Sequence, residues 1–75
     1  MNVDQVLDAK GLACPMPIVK TKKAMNNLET GQILEVQTTD KGAKSDLTAW
    51  TKSTGHILLD SKEEDSMFTF YIQKG

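Results

Sequence analysis

Residues 11–28 read GLACPMPIVKTKKAMNNL, and this stretch marks the change from a loop to a helix. Proline has no backbone N–H and is tolerated in the first turn of a helix, so Pro15 and Pro17 predict a helix start. Apolar or small side chains then recur at spacings of three and four, which predicts an amphipathic helix ending before Gly31. The residues on its apolar face are Ile18, Thr21, Ala24, Met25 and Leu28.

Strands are predicted on both sides of this helix. Upstream, residues 3–9 mix apolar and polar side chains and stop at Lys10 and Gly11, which indicates a short strand followed by a turn. Downstream, residues 33–38 (ILEVQT) alternate between the two sides of an extended chain and are rich in β-branched side chains. The segment 33–38 is therefore the clearest strand of the sequence.

A second helix is predicted after this strand. Asp40 is placed to cap it, and Gly55 stands in the usual position of a helix stop. Between them one row of side chains at helical spacing forms the face expected to be buried. That row is Ala43, Leu47, Trp50 and Thr54.

The last third of the chain predicts a hairpin. Residues 56–62 and 67–73 form two strands, with 63–66 as the turn, and Phe68, Phe70 and Ile72 share one face of the final strand. The order β-α-β-α-β-β with amphipathic helices predicts an α+β, two-layer sandwich: two helices on one face of a four-stranded mixed sheet. On the other face, Ile33, Leu58, Met67 and Tyr71 are expected to cluster.

Composition limits what the chain can be. Seventy-five residues with 39% hydrophobic and 25% charged side chains fit one small globular domain spanning 1–75. The net charge of −1 gives no overall attraction to nucleic acid or to an anionic membrane, so neither is expected as a direct partner. No apolar run suits a membrane span or a secretion signal, and we therefore expect a cytoplasmic monomer.

The single cysteine, Cys14, excludes several kinds of site. One cysteine cannot form an internal disulfide, and one cysteine with one histidine cannot fill a structural zinc site, so no metal or cofactor is expected. The residue before a proline favours extended backbone, which places Cys14 just ahead of the helix at the positive end of its dipole. Such a position lowers the pKa of a thiol below its usual value of about 8.5, and Lys10 and Lys20 are candidate neighbours that would add to this effect. The amides of Met16 and Ile18 are expected to face the sulfur.

Several interpretations of Cys14 compete. A lone cysteine is often a buried core residue, but the loop-to-helix junction favours a reactive, exposed thiol. Dithiol exchange needs a C-x-x-C pair, whereas Pro17 occupies the fourth position. Acyl transfer needs a base, and His56 has no evident carboxylate to orient it. What remains is a thiol that accepts a group from one protein and gives it to another, and a persulfide on Cys14 would await an external thiol.

The chain resembles the TusA/SirA-like sulfur-carrier family. The family pattern L-D-x-x-G-x-x-C-P-x-P is met by Leu7-Asp8, Gly11 and the C-P-x-P motif Cys14-Pro15-Met16-Pro17. Asp40 matches a recurrent aspartate after the second strand, and the ending FTFYIQKG is also similar. This resemblance implies a fold similar to the C-terminal domain of translation initiation factor 3, with sulfur carried as a persulfide on Cys14.

The resemblance also implies protein partners. The sulfur donor would be a cysteine desulfurase or a rhodanese-like protein, and the acceptor would serve tRNA thiolation, molybdenum-cofactor synthesis or sulfur oxidation. Such a protein is a sulfurtransferase-like carrier rather than a turnover enzyme on a small molecule. Lys20 and Lys23, with Lys10, are candidates for docking a partner. Thr48 stands where many members have a proline, which bears on partner identity.

Two alternatives stay open at this point. The chain could be a regulatory or nucleic-acid-binding module in which Cys14 is structural, although the near-neutral charge disfavours it. The same thiol could also handle selenium or serve in redox chemistry, which the sequence does not separate from sulfur relay.

Overall fold

The structure is a computed structural model that describes residues 2–13 and 15–75. Its elements follow the predicted β-α-β-α-β-β order. They are β1 (Gln5–Ala9), α1 (Met16–Asn26), β2 (Ile33–Thr38), α2 (Ala43–Thr54), β3 (Ile57–Glu64) and β4 (Met67–Gln73). The bounds of β2 and β4 coincide with the predicted ones, and α1 ends before Gly31 as expected.

The four strands form one mixed sheet in the order β1-β2-β4-β3. β1 runs parallel to β2, whereas β4 is antiparallel to both β2 and β3. The parallel β1–β2 pair is connected through α1, and both helices cover the same face of the sheet, so the predicted α+β two-layer fold is confirmed.

The core lies between the sheet and the helices. The register sets Leu7, Val36 and Phe70 side by side on the inner face, and alternation along each strand continues this apolar layer. Both helices contribute to it through their predicted apolar faces, apart from Thr54 of α2. The core consists of Ala24, Met25, Leu28, Leu34, Val36, Ala43, Leu47, Phe68, Phe70 and Ile72.

Three local predictions are wrong. Thr54 is exposed and Thr51 is buried in its place on α2. Glu63 and Glu64 belong to β3, so the hairpin turn is only Asp65-Ser66. Leu58 packs against the core instead of lying on the outer face of the sheet, because it pairs with the buried Ile72.

Neither α1 nor α2 covers the outer face of the sheet, which is mixed in character. Val6 and Ile57 are the most exposed of its large apolar side chains. Tyr71 lies beneath the ammonium group of Lys62, whose Nζ is 5.5 Å from the ring centroid. Among the described residues, no helix has the length and apolarity needed to cross a membrane.

Candidate functional site

The C-P-x-P motif joins the β1–α1 loop to α1. Cys14 lies outside the residues that the structure describes. The predictions that it is exposed and that it lies ahead of the helix concern this residue and are therefore outside the described residues as well. Its covalent neighbours Ala13 and Pro15 are described. Pro15 is the N-cap of α1, Met16 is the first helical residue, and the buried Pro17 is the second. The two prolines thus mark the helix start, as predicted.

The first amide of α1 is already engaged. The Met16 N–H donates to the Ala13 carbonyl oxygen at 2.9 Å. The predicted contact of this amide with the sulfur lies outside the described residues. Within residues 2–13 and 15–75, no side chain caps this end of α1, and no acidic residue lies in its first turn. Helix N-termini attract anions through such uncompensated partial positive charge, which is the setting in which a thiolate is stabilised.

Gly11 gives the β1–α1 loop its path. Its φ of +80° lies in the left-handed region that glycine adopts without strain. The Gly11 N–H donates to Thr39 Oγ1 at 3.0 Å, and the Leu12 N–H donates to the Ala9 carbonyl oxygen at 3.3 Å. The first bond holds the loop against the end of β2, and the second closes a turn at the end of β1.

Parallel pairing brings two loops together at one edge of the sheet. Ala9 pairs with Thr38, so the loops that leave β1 and β2 emerge side by side. Between them lies a cavity of about 410 Å³, adjoining the residue bonded to Cys14. Its lining residues are Gly11, Leu12, Ala13, Thr39, Asp40 and Lys41.

Asp40 does not cap α2 as predicted. Gly42 is the N-cap, and the Asp40 carboxylate binds the loop instead, since its Oδ1 accepts from the Gly42 N–H at 3.2 Å. Its own N–H donates to Thr38 Oγ1 at 3.1 Å. Asp40 Oδ2 is buried without a hydrogen-bond partner among the described residues. Asp40 therefore lines the cavity, but its second carboxylate oxygen is closed off from solvent.

The lysines differ in their relation to the cavity. Lys10, Lys20 and Lys23 are exposed but do not line it, whereas Lys41 does. Beside Lys20 on α1, Met16 is 42% exposed and Val19 is 37% exposed. The exposed surface of α1 next to the motif thus includes both apolar and basic side chains.

His56 lies outside this site. Its Nδ1 accepts from the Gly75 N–H at 3.0 Å, and its ring lies 5.1 Å from the Trp50 ring. Burial, with a contribution from the nearby Lys74 charge, lowers the pKa of His56 below 6.5. The geometry gives it a structural role rather than a place beside the motif.

Comparison with known proteins shows the family of the chain. The family model described as Sulfurtransferase TusA matches residues 5–74. The chain belongs to the TusA family. A Bacillus subtilis relative, "Putative sulfur carrier protein YrkI", is 71% identical over the full length of both chains. "Sulfur carrier protein TusA" of Allochromatium vinosum is 49% identical, covering 97% of this chain and 96% of its own. The crystal structure of a SirA-like protein from Desulfitobacterium hafniense superposes with a TM-score of 0.83 at 26% identity, over 95% of this chain and 97% of its own.

Sequence analysis does not identify two residues of this TusA-family site. Thr39 anchors the Gly11 amide, and Lys41 shares the cavity with Asp40. Their neighbours in space are about 28 residues away along the chain. The one signal for them is the pairing of the first two strands in parallel, which requires their following loops to meet.

Proposed function

We propose that the chain is a cytoplasmic sulfur carrier that holds sulfane sulfur as a persulfide on Cys14. The observation that carries this proposal is the family match over residues 5–74, which includes the only cysteine of the chain. The sulfur-carrier names of the relatives support the general role. The start of α1, which no described side chain caps, supports a reactive thiolate at the adjoining position, and thiols stay reduced in the cytoplasm.

The transfer consists of two exchanges that each make and break one sulfur–sulfur bond. In loading, the Cys14 thiolate attacks the terminal sulfur of a donor persulfide, and the donor cysteine leaves as a thiolate. In delivery, an acceptor thiolate attacks the terminal sulfur on Cys14, and Cys14 leaves as a thiolate. No net oxidation occurs, and no second cysteine in the chain can discharge the sulfur internally.

The residues around the motif have supporting parts in this proposal. Gly11 and the two prolines hold the loop and the helix start in place. Lys10, Lys20 and Lys23 favour the approach of a protein donor or acceptor with an acidic surface. The apolar side chains of Met16 and Val19 would lie at the centre of that contact.

Intact-protein mass spectrometry tests the proposal. The chain is incubated with a cysteine desulfurase and free cysteine, and its mass is expected to rise by one sulfur atom and to return to its starting value after reduction. Cys14→Ser should show no gain, because the chain has no other cysteine. The proposal fails if the wild-type chain stays unloaded, or if the variant gains the same mass.

A further inference from the structure

The open sheet leaves β3 with one free edge. Within the described part of the chain, β3 pairs with β4 and with no other strand. It is the longest strand of the sheet, at eight residues, and most of its side chains are exposed. An unpaired edge of this kind presents backbone N–H and C=O groups to which another strand can bind.

The register indicates which amides of β3 face this free edge. In an antiparallel pair, alternate residues direct their N–H and C=O toward the partner strand, and the residues between them direct these groups away from it. The two residues that flank a two-residue turn bond to each other, and here they are Glu64 and Met67. Counting back from Glu64, Lys62 also faces β4. The N–H groups of Glu63 and Ser61 therefore face the free edge.

The Ser61 amide is already bonded within its own strand. Its N–H donates to Asp60 Oδ1 at 2.8 Å. A carbonyl oxygen of an incoming strand would have to displace this carboxylate oxygen and would meet its negative charge. The Asp60 side chain thus occupies a donor that strand pairing along this edge would need.

A β-bulge interrupts the same edge beside Asp60. The register shifts between Leu58 and Asp60, so Leu59 is an extra residue in β3. Before the bulge the strand is apolar and exposed, since Ile57 is 50% and Leu59 is 40% exposed. After the bulge, residues 60–64 keep a regular register with β4. The bulge alone therefore leaves this second half of the strand open to pairing.

We propose that the free edge of β3 can pair with the β3 edge of a second copy of this chain, and that the Asp60 carboxylate prevents this pairing by holding the Ser61 N–H. The second copy is the partner that fits, because an antiparallel pair centred on Ser61 sets residue 60 of each copy opposite Lys62 of the other, so no like charges meet there. Each Ser61 N–H would then donate to the Ser61 carbonyl oxygen of the other copy. The edge lies two strands away from β1 and its motif, so the inference is independent of the proposed sulfur-carrier function.

Two substitutions of Asp60 separate its hydrogen bond from its charge. Asp60→Asn removes the charge and keeps an oxygen that accepts from the Ser61 N–H. Asp60→Leu has nearly the same shape and removes both. Glu64→Leu is the matched control, because it removes the same charge from the same exposed strand and adds the same apolar side chain while the Asp60–Ser61 bond stays in place. Sedimentation velocity of the full chain over a wide range of concentrations gives the oligomeric state of each variant.

The expected result is selective. The wild-type chain, Asp60→Asn and Glu64→Leu sediment as monomers, whereas Asp60→Leu forms a dimer. Its self-association constant rises about tenfold or more above that of the wild-type chain, because two backbone hydrogen bonds between the copies become available. Amide hydrogen exchange at Ser61 and Glu63 of this variant slows as its concentration increases, since both amides then lie inside the joined sheet.

Other outcomes overturn the inference. A folded Asp60→Leu chain that stays monomeric would contradict it, and equal association of Glu64→Leu would show that added apolar surface alone joins the copies. Equal association of Asp60→Asn would show that the bond to Ser61 is not what prevents pairing. A wild-type chain that dimerises through β3 would refute the proposal without any variant. Asp60→Ala, which removes the same oxygen without adding a large apolar side chain, replaces Asp60→Leu if that variant does not fold, and it must associate as well.

Discussion

At the residue scale, Gly11 and Gly55 form a natural pair for separating stability from function. Both have φ near +80°, and at both a Cβ would meet no atom within 4 Å. Alanine at either position should therefore cost about 1 kcal/mol from backbone strain alone, measured by urea unfolding. Only Gly11→Ala should also change the rate at which iodoacetamide alkylates Cys14, because Gly11 belongs to the loop that leads to it. Equal alkylation rates in the two variants would contradict a role for Gly11 in placing the thiol.

His56 predicts a pH dependence of stability. Its folded-state pKa is lowered below 6.5 by burial and by Lys74, so the folded chain favours the neutral ring, whose Nδ1 accepts from the Gly75 N–H. The unfolded chain takes up a proton near pH 6.5, and stability is lost as the pH falls below that value. The free energy of unfolding of wild type relative to His56→Gln should therefore decrease as the pH falls through 6.5 and below it. Trp50 fluorescence reports the transition, and an unchanged difference would contradict the assignment.

At the element scale, the β3–β4 turn is strained in a way that one substitution should relieve. Asp65 and Ser66 have φ of +50° and +66°, the pattern of a two-residue type I′ turn that favours glycine at its second position. Ser66→Gly should stabilise the protein by about 1 kcal/mol and raise the melting temperature by roughly 4–8 °C in thermal unfolding. Ser61→Gly, within β3, should lower it, because glycine weakens a regular strand. A melting temperature that falls in both variants would refute the strain argument.

The elements differ in how well their sequences predict them. The sequence predicts β2 and β4 to the residue because apolar side chains alternate along each strand and pack on the core. In β4 the intervening Thr69 is buried as well. β3 pairs only with β4 and is largely exposed, so its charged end resembled a turn. The turn itself depends on positive φ at both Asp65 and Ser66. This pair of residue types does not clearly predict such a turn.

In the candidate site, too, the sequence predicts features that depend on neighbouring residues better than features that depend on contacts between distant ones. Pro15 and Pro17 predict the start of α1 because their effect on the backbone is local. Asp40 was recognised but given a helix-capping role, and its actual bond to the Gly42 N–H depends on the path of one loop. Thr39 enters the site only through the register of β1 on β2, which links residues far apart in the chain.

At the scale of the whole molecule, the net charge of −1 conceals a division of charge between the two layers. Of the nine basic residues, seven lie on the helices or on the loops that lead into them. Of the ten acidic residues, six lie on the strands or in the β3–β4 turn. The electrostatic field of such a layer extends over roughly the Debye length. A small reactant near α1 therefore experiences the basic layer rather than the net charge of the whole molecule.

Charged disulfide reagents should reveal this field at Cys14, which is bonded to the start of the helical layer. A dianionic aromatic disulfide should modify Cys14 faster at low salt than at about 0.5 M salt, because the basic layer raises its local concentration, whereas dicationic cystamine should show the opposite trend. Stopped-flow absorbance gives the rate with the aromatic disulfide, and intact mass gives the rate with cystamine.

The double variant with Lys20→Gln and Lys41→Gln should shrink the salt dependence severalfold, since these lysines lie on α1 and on the cavity that adjoins the motif. Lys52→Gln, in the last turn of α2, is the control and should leave most of the salt dependence unchanged. If both reagents respond to salt alike, the rate at Cys14 follows from its thiolate alone, and the basic layer has no part in bringing reactants to it.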